Sequence, residues 1–478
     1  MQLDRNICQQ ARLSKDRRFD GKFYTAVITT GIYCRPTCPA GPALEQNVRY
    51  FHTAVQAEVN GFNACKRCRP ELAPNQPLPS HIEQAIELLR VQPNLTVAQL
   101  AKTMSLSERQ LQRLFEQNLS VSPKQFINHQ RLITARTLLL HTGLAISDIA
   151  TIAGFGSLRS FNDNVKQHYQ LSPTQVRKQG KASGNDVYSI KLAYQGQYNW
   201  PLMLNFFKAR IIPGVELIDD AYHRTLQLFD DHEQRVCHGW FKVSFHDQDY
   251  LQVDLQLSDY QYLGQVLKRI RVMFDLDCDI DTVNEHLGQD RQLAQVISDC
   301  PGLRLPGCFD VFEFSIRAIL GQQITVKAAT TLASRINERY GQAFTASESS
   351  PTGLSHYFPS PTALADAEFN DMGITTTRMA TLQRWVSFYR DNKRLFVAPQ
   401  SAEQLERQLC ELKGIGPWTA NYLAMRGLSM NDAFPAADLG IIKALGGELK
   451  PKQILQKAEA WRPWRAYAAI YLWHSLAH

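Results

Sequence analysis

Four cysteines constrain this chain more than any other feature, because two pairs far apart in sequence can share one metal ion only if the fold returns on itself. Cys34-Arg-Pro-Thr-Cys38 is a C-x3-C and Cys65-Lys-Arg-Cys68 a C-x2-C, with 26 residues between them. Each short turn can offer two thiolates, and two such turns complete a tetrahedral Zn²⁺ site. The other six of the ten cysteines are scattered, so the pattern is not that of a disulfide scaffold. Spacing alone leaves two roles open. The metal can be a staple for a segment of under about eighty residues, too small for a self-sufficient core. Alternatively, four thiolates on Zn²⁺ sum to a formal charge of about −2, which leaves electron-rich sulfurs among Arg35, Lys66, Arg67 and Arg69. A thiolate is the nucleophilic form of cysteine, so an exposed one can attack an alkyl group.

The chain has 478 residues, and about 150 residues per domain suggests about three domains. A hydrophobic share of 44% with 20% charged residues excludes wholesale disorder. No long apolar run occurs, and Met1-Gln-Leu-Asp-Arg-Asn6 lacks the apolar stretch of a signal peptide. The expectation is a cytoplasmic, nucleoid-associated protein without a membrane partner. The net charge of +7 is unevenly spread: residues 1–180 hold 22 Lys+Arg against 12 Asp+Glu, and the remainder 30 against 33. A basic N-terminal third points to a polyanion, most often nucleic acid, although a solvated basic face would look the same.

Pro70-Glu-Leu-Ala-Pro74-Asn-Gln-Pro77-Leu-Pro79-Ser80 opposes helix and marks one boundary; the small, polar stretch 179–186 marks a second. Between them lies a repeat. Ser122-Pro123-Lys-Gln-Phe126 recurs as Ser172-Pro173-Thr-Gln-Val176, and Leu111…Phe115 answers Phe161…Val165. The apolar spacing is helical in both copies. Thr96–Phe115 reads as helix, turn, helix, with Ser107 as N-cap and Leu111, Leu114 and Phe115 inward. Arg109, Gln110, Gln112 and Arg113 are then outward in the first copy, and Ser157, Arg159, Ser160 and Asn162 in the second. Such side chains suit phosphate and base-edge contacts in a major groove.

Residues 187–285 alternate like strands, as in Leu251-Gln-Val-Asp-Leu-Gln-Leu257, and helical periodicity dominates from about 290. In this last part Leu412-Lys-Gly414-Ile-Gly416-Pro-Trp418 sets two glycines at a turn before a helix, where backbone can approach a ligand and free amides can bind phosphate. A lone G-x-G is usually an ordinary turn. Twenty residues past Trp418 stands Asp438, a carboxylate in the apolar stretch Phe434–Lys443, whose plainest role is a helix N-cap.

Three resemblances follow from these residues. Phe19-Asp-Gly-Lys-Phe-Tyr24, Thr30-Gly-Ile-Tyr-Cys34-Arg-Pro-Thr-Cys38 and Gly61-Phe-Asn-Ala-Cys65-Lys-Arg-Cys68-Arg-Pro70 resemble the N-terminal domain of the Ada-type DNA-repair regulators. The likeness implies bound Zn²⁺ and irreversible transfer of a methyl group from a methylated DNA phosphate to Cys34. The paired helical units, with Gly154-Phe155 and Ser172-Pro173, resemble the AraC-type DNA-binding domain and imply operator binding. An activator of that kind also has RNA polymerase as a partner. Leu303-Arg-Leu-Pro-Gly-Cys-Phe-Asp310, Ala318-Ile-Leu-Gly-Gln-Gln-Ile324 and Leu412–Gly427 resemble the helix-hairpin-helix glycosylases of the 3-methyladenine DNA glycosylase II type.

That third likeness implies monofunctional excision of alkylated bases from double-stranded DNA. It places the catalytic carboxylate at Asp438 and an aromatic base pocket at Trp418, Tyr422 and Trp473. It puts DNA contacts at Gly414, Gly416 and Gln323, the last filling the gap left by the flipped nucleotide. Leu439 and His474 stand where that family often carries tyrosines, and no Pro-Cys-His-Arg motif of an O6-methylguanine acceptor occurs. The expected architecture is multidomain α+β. Its parts are a zinc-binding α/β domain over 1–75, an all-α double helix-turn-helix domain over 80–178, a mixed α/β domain over 187–290 and an all-α helix-hairpin-helix domain over 291–478. The competing reading is a transcription regulator whose C-terminal half binds DNA without catalysis.

Overall fold

The computed structural model describes residues 4–65, 67–68, 70, 80–91, 95–180, 187–230, 233–247, 250–397 and 401–476. The proline-rich boundary at 71–79, the second boundary at 181–186, and Lys66 and Arg69 lie outside the described residues. The chain separates into two compact units, Met1–Asn185 with Tyr260–Gly264, and Asp186–Asp259 with Gln265–His478.

The first unit opens with helix α1 (Arg5–Leu13), capped by Asp4, whose Cys8 and Ala11 pack on Phe23. A four-stranded sheet follows, in the order β3 (Val48–Phe51), β1 (Tyr24–Val27), β2 (Ile32–Cys34), β4 (Asn63–Ala64). The first three strands are antiparallel, and β4 runs parallel to β2 with Tyr33 opposite Ala64. Helix α2 (Ala54–Val59) closes a small core of Tyr24, Ala26, Tyr33, Phe51, Ala57 and Phe62.

Helices α3 (Ser80–Val91), α4 (Val97–Thr103), α5 (Glu108–Leu119), α6 (Pro123–His141), α7 (Ile146–Ile152), α8 (Leu158–Tyr169) and α9 (Pro173–Lys178) complete this unit. The repeated Ser-Pro-x-Gln seen in sequence is a capping box. Ser122 with Gln125 opens α6, Ser172 with Gln175 opens α9, and proline stands in the first turn both times. Each cap contributes about 1 kcal/mol and fixes where its helix starts. Leu100, Leu111 and Phe115 form the first copy's core, and Ile149, Phe161 and Val165 are buried in the second.

The second unit begins with strand β5 (Tyr188–Ala193), helix α10 (Trp200–Lys208), and strands β6 (Glu216–Ile218), β7 (Tyr222–Phe229), β8 (Arg235–Asp247) and β9 (Tyr250–Leu257). They form a sheet in the order β5-β9-β8-β7-β6, antiparallel throughout. The alternation read in Leu251–Leu257 appears as strict alternation of half-buried and buried residues along β9. Helices α11 (Leu263–Met273), α12 (Ile280–Leu287), α13 (Arg291–Asp299), α14 (Val311–Leu320) and α15 (Val326–Tyr340) follow. A two-residue ribbon, β10 (Gln342–Ala343) with β11 (His356–Tyr357), interrupts the helical part. Then come α16 (Pro361–Ala365), α17 (Thr376–Asp391), α18 (Lys393–Val397), α19 (Ala402–Cys410), α20 (Pro417–Tyr422), α21 (Leu439–Ala444), α22 (Pro451–Ala458) and α23 (Arg465–His474).

Helix α14 is apolar on nearly every side and buried accordingly. Its two charges, Glu313 and Arg317, pair with Arg224 of β7 and Glu216 of β6 (Arg224 Nη2–Glu313 Oε2 2.5 Å, Arg317 Nη1–Glu216 Oε2 3.0 Å). Two acids therefore balance two bases where the sheet meets the helices. Among the described residues no helix is long and apolar enough to cross a membrane.

Candidate functional site

The parallel pairing of β4 with β2 brings the cysteine pairs together, since Cys65 directly follows β4 and its amide donates to Tyr33 O (3.0 Å), one residue before Cys34. The four sulfurs lie within 4.8 Å of one another. A Zn–S bond of about 2.3 Å requires sulfurs ~3.8 Å apart, so the donor set fits tetrahedral zinc. Hydrogen bonds from Cys34 and Cys68 hold the Cys38 thiol far below its ordinary value, while those of Cys34 with Cys38 and Cys68 push Cys34 up. Thiols crowded in this way need a cation to deprotonate together. Cys38 and Cys65 are buried, but Cys34 and Cys68 are half-exposed.

One expectation changes. The Arg35 guanidinium does not face the sulfurs as a free cation. It is buried and paired with Asp20 (Nε–Oδ1 2.8 Å), while its backbone amide donates to Cys68 Sγ (3.4 Å). A buried guanidinium needs a partner, and Asp20 supplies it. Arg67 remains exposed.

Behind the cluster runs a chain of short contacts that sequence reasoning missed. The fully buried Tyr33, next to Cys34, donates its hydroxyl to Glu58 Oε1 (2.6 Å), and Glu58 Oε2 meets His129 Nε2 of α6 (2.6 Å). Thr53, which caps α2, also donates to Leu119 O at the end of α5 (2.9 Å). Tyr33 and Glu58 are 25 residues apart, and Glu58 and His129 71 apart, so no sequence pattern marks the group.

On the helical repeat, Arg109 and Arg113 are exposed on α5, and Ser157, Arg159, Ser160 and Asn162 along the start of α8. Two of the expected contact residues also bond within their own helix. Gln110 points outward, but its carboxamide oxygen accepts from the Ser107 amide (2.8 Å) to close the capping box. Gln112, only half-exposed, donates to Glu116 Oε1 (2.5 Å). Both are tied to their own helix, because a Ser-x-x-Gln start and an i,i+4 Gln–Glu pair are satisfied locally first. Ser157 likewise caps α8.

In the second unit Asp438 is the N-cap of α21. Its Oδ1 accepts from the amides of Gly440 (2.8 Å) and Ile441 (3.1 Å) and from the Trp473 indole (2.8 Å), and its Oδ2 from the Trp418 indole (2.8 Å). The capping role thus coexists with an aromatic setting. Trp418 stacks on Tyr422 (5.1 Å, 14°), and Tyr422 meets Trp473 edge-on (6.1 Å, 64°). All three rings are half-exposed. Leu439, beside the carboxylate, is 72% exposed.

Sequence reasoning overlooked what supports Tyr422. The hydroxyl accepts from Arg426 Nη1 (2.8 Å), one turn on, where the chain passes into a π-helical segment, Leu423–Gly427. Arg426 also donates to Pro306 O (2.8 Å) and Gly307 O (3.2 Å). Burial pushes the Tyr422 phenol up, yet Arg426 and Arg210 outweigh it and hold the group below its ordinary value. The i,i+4 spacing of Tyr422 and Arg426 was the available signal.

Gly414, at φ +102°, sits where a Cβ would lie 2.1 Å from Thr381 Oγ1, whereas a Cβ on Gly416 would meet nothing within 4 Å. Gly416 is the side-chain-free N-cap of α20, so the first amides of that helix lack a side-chain partner. Gln323 is exposed in the left-handed region (φ 58°). Its neighbour Gln322, also missed, ties this loop to the glycine turn through Gly414 O (3.0 Å) and Thr419 Oγ1 (2.9 Å).

Three family models match in order along the chain: the metal binding domain of Ada over residues 7–71, a helix-turn-helix domain over 100–179, and the AlkA N-terminal domain over 189–310. A Mycobacterium tuberculosis protein described as a probable bifunctional transcriptional activator/DNA repair enzyme AlkA is 36% identical over 495 aligned positions, covering 100% of this chain and 98% of that protein. The chain belongs to the family of AlkA bifunctional transcriptional activator/DNA repair enzymes. Shorter relatives match its halves. DNA-3-methyladenine glycosylase 2 of Escherichia coli is 32% identical over 59% of this chain and 96% of its own length. The Escherichia coli activator and repair enzyme Ada is 34% identical over 36% of this chain, which spans about half of that protein (49%). The 3-methyladenine DNA-glycosylase of Archaeoglobus fulgidus shares the fold of 59% of the chain and 97% of its own, at a TM-score of 0.51 and 19% identity. As a member of this family the chain is a multidomain α+β protein with a zinc-binding domain at its N-terminus.

Proposed function

We propose that this protein acts on alkylated double-stranded DNA through two separate sites and reads operator DNA with its paired helical units. The domain limits offered are 1–75, 80–178, 187–290 and 291–478. One observation carries the reading: a carboxylate, Asp438, is held by two indoles and two amides beside the half-exposed rings of Trp418, Tyr422 and Trp473.

Breaking an N-glycosidic bond builds positive charge on the sugar, and a carboxylate held beside it stabilises that charge and orients water. Oδ1 is saturated by three donors, so the group cannot swing, and Oδ2 receives one indole among the described residues. The damaged base leaves the stack at a cost of a few kcal/mol and is received by Trp418, Tyr422 and Trp473, whose electron-rich faces contribute ~0.5–2 kcal/mol each toward a cationic base. Gln323, held out on a left-handed backbone, occupies the space the nucleotide vacates, and the turn at Gly414 and Gly416 approaches the phosphates.

At the N-terminal site Cys34, Cys38, Cys65 and Cys68 would hold zinc, whose charge would keep the sulfurs deprotonated. Cys34, half-exposed, attacks the methyl carbon of a phosphotriester. An S–C bond forms, the C–O bond breaks, and the phosphodiester leaves with the electron pair. The site passes formally from about −2 to about −1, repulsion from the DNA backbone falls, and operator binding tightens. Arg109, Arg113, Arg159, Ser160 and Asn162 carry phosphate and base contacts, with Gln110, Gln112 and Ser157 contributing from the helix starts. RNA polymerase is the further partner of such an activator, in the cytoplasm at the nucleoid.

The test is incubation of the full chain with methylated duplex, reading free base by chromatography and protein methylation by mass spectrometry. Asp438→Ala should lose base release while still taking up methyl at Cys34. Cys34→Ala should show the converse. Base release that survives Asp438→Ala overturns the assignment.

A further inference from the structure

We infer that Glu58 is a positioning residue for operator reading: through His129 it holds the zinc-binding domain against both helix-turn-helix copies and so fixes the two DNA-reading helices relative to each other. The inference rests on the operator reading and deepens it.

Helix α2 is short, yet two of its faces are in use. Ala54 and Ala57 pack in the core under the cysteine-bearing sheet, while Val55 and Val59 pack against the core of the first helix-turn-helix copy. Residues three or four apart share a helix face, so the two pairs point to different sides and α2 belongs to two cores at once. Glu58 falls on the edge between those faces, and one carboxylate oxygen serves each side. Oε1 accepts from the Tyr33 hydroxyl of the zinc-binding domain (2.6 Å), and Oε2 from His129 Nε2 on α6 (2.6 Å).

The His129 ring is 4% exposed, and its Nδ1 has no hydrogen-bond partner among the described residues. The Glu58 carboxylate therefore orients the imidazole. That ring packs on His168 in the last turn of α8 (centroids 5.8 Å apart, 54°), within the range of a favourable aromatic pair. Beside it, Asn128 donates to Asn164 Oδ1 of α8 (2.8 Å), and Asn164 Nδ2 donates to the carbonyl of Ser160 (2.7 Å), one of the outward residues of that helix. The other end of α2 reaches the first copy, where Thr53 donates to Leu119 O, one of the last carbonyls of α5. The zinc-binding domain thus touches the end of one DNA-reading helix directly and the other through α6.

Paired helix-turn-helix units match half-sites about one helical turn (~34 Å) apart. A tilt of α8 against α5 moves side chains off base edges although neither helix is damaged. Phosphate attraction tolerates that tilt, because it depends on charge rather than register. Loss of the Glu58 link therefore costs sequence reading and spares non-specific binding.

The experiment measures the affinity of the full, zinc-loaded chain for two duplexes of equal length, one selected on the parent protein from a random-sequence library and one unselected. Glu58→Ala should weaken binding to the selected duplex about tenfold and leave binding to the unselected one within about twofold. His129→Phe, which keeps a ring but no donor, should do the same. The double variant should bind no worse than either single one, because both remove one link. Circular dichroism confirms folding, and Glu58→Gln, which keeps an oxygen for Tyr33 but turns an NH2 toward His129, serves if the alanine variant unfolds. Equal loss on both duplexes, additive losses in the double variant, or unchanged binding each overturn the inference and leave the operator reading intact. A parent protein that enriches no sequence from the library overturns the operator reading itself.

Discussion

Asp438 is held by four donors, and each can be removed separately. Asp438→Asn keeps an oxygen for the two amides but loses the charge and turns an NH2 toward the Trp418 indole. Base release should fall by about 1000-fold or more, while the unfolding temperature should move only slightly, because the helix cap survives. Single-turnover kinetics and calorimetry on the same sample check both halves. Trp473→Phe keeps a ring in the pocket and deletes only the indole donor to Oδ1. A hydrogen bond to a charged group contributes about 1.5–3 kcal/mol, so release should slow roughly 10- to 100-fold. An unchanged rate would mean the amides alone aim the carboxylate. Asp438 itself was legible from its apolar sequence surroundings and its distance past the glycine turn. The Trp473 contact was not, since the donor arrives from α23, 35 residues away.

At the level of elements, the glycine turn divides into two positions that look alike in sequence. Gly414→Ala places a methyl against Thr381 at 2.1 Å on a left-handed backbone and should destabilise the C-terminal unit by about 2 kcal/mol or more. Gly416→Ala adds a methyl in open space. It should melt like the parent yet bind undamaged duplex more weakly, which paired melting and titration would show. In the first unit, α2 is fastened to α6 by Glu58. Glu58→Ala leaves the Tyr33 hydroxyl and His129 without that half-buried partner, at a cost of about 1–3 kcal/mol. Denaturant unfolding followed through the first unit should register the loss, and base release should not. The helix pairs and their caps were readable beforehand because capping boxes are local; the bolt between α2 and α6 joins residues 71 apart.

For the molecule as a whole, the two units carry separate chemistries and should fail separately. Stripping zinc with a chelator should abolish methyl uptake and lower the first unit's unfolding transition, while base release continues, because no cysteine of the cluster lies in the second unit. Loss of both activities together would show that the units depend on each other. The second unit carries its own pH dependence. Burial pushes Asp275 up from 3.8 to about 7, although the Tyr467 hydroxyl (2.9 Å) and the Leu305 amide (3.1 Å) donate to it. The folded carboxyl holds its proton more firmly than the unfolded one. Its contribution is therefore full below about pH 4 and is lost as the pH rises through about 7, costing up to about 4 kcal/mol across that interval. Asp275→Asn, tolerant of the same left-handed backbone (φ 53°), should flatten this slope in melts taken between pH 5 and 8.

The sequence by itself determined the local and periodic features: paired thiols for zinc, a twice-repeated capped helix pair, an alternating strand and a glycine turn ahead of a carboxylate. These are legible because each depends on residues within a turn or two of one another. Only the tertiary structure decided that Arg35 is neutralised by Asp20, that Glu58 joins α2 to α6, and that the Trp473 indole reaches Asp438. All three depend on which distant groups are brought together, and burial turns a charge or a hydrogen-bond donor into a demand for a partner that sequence order does not record.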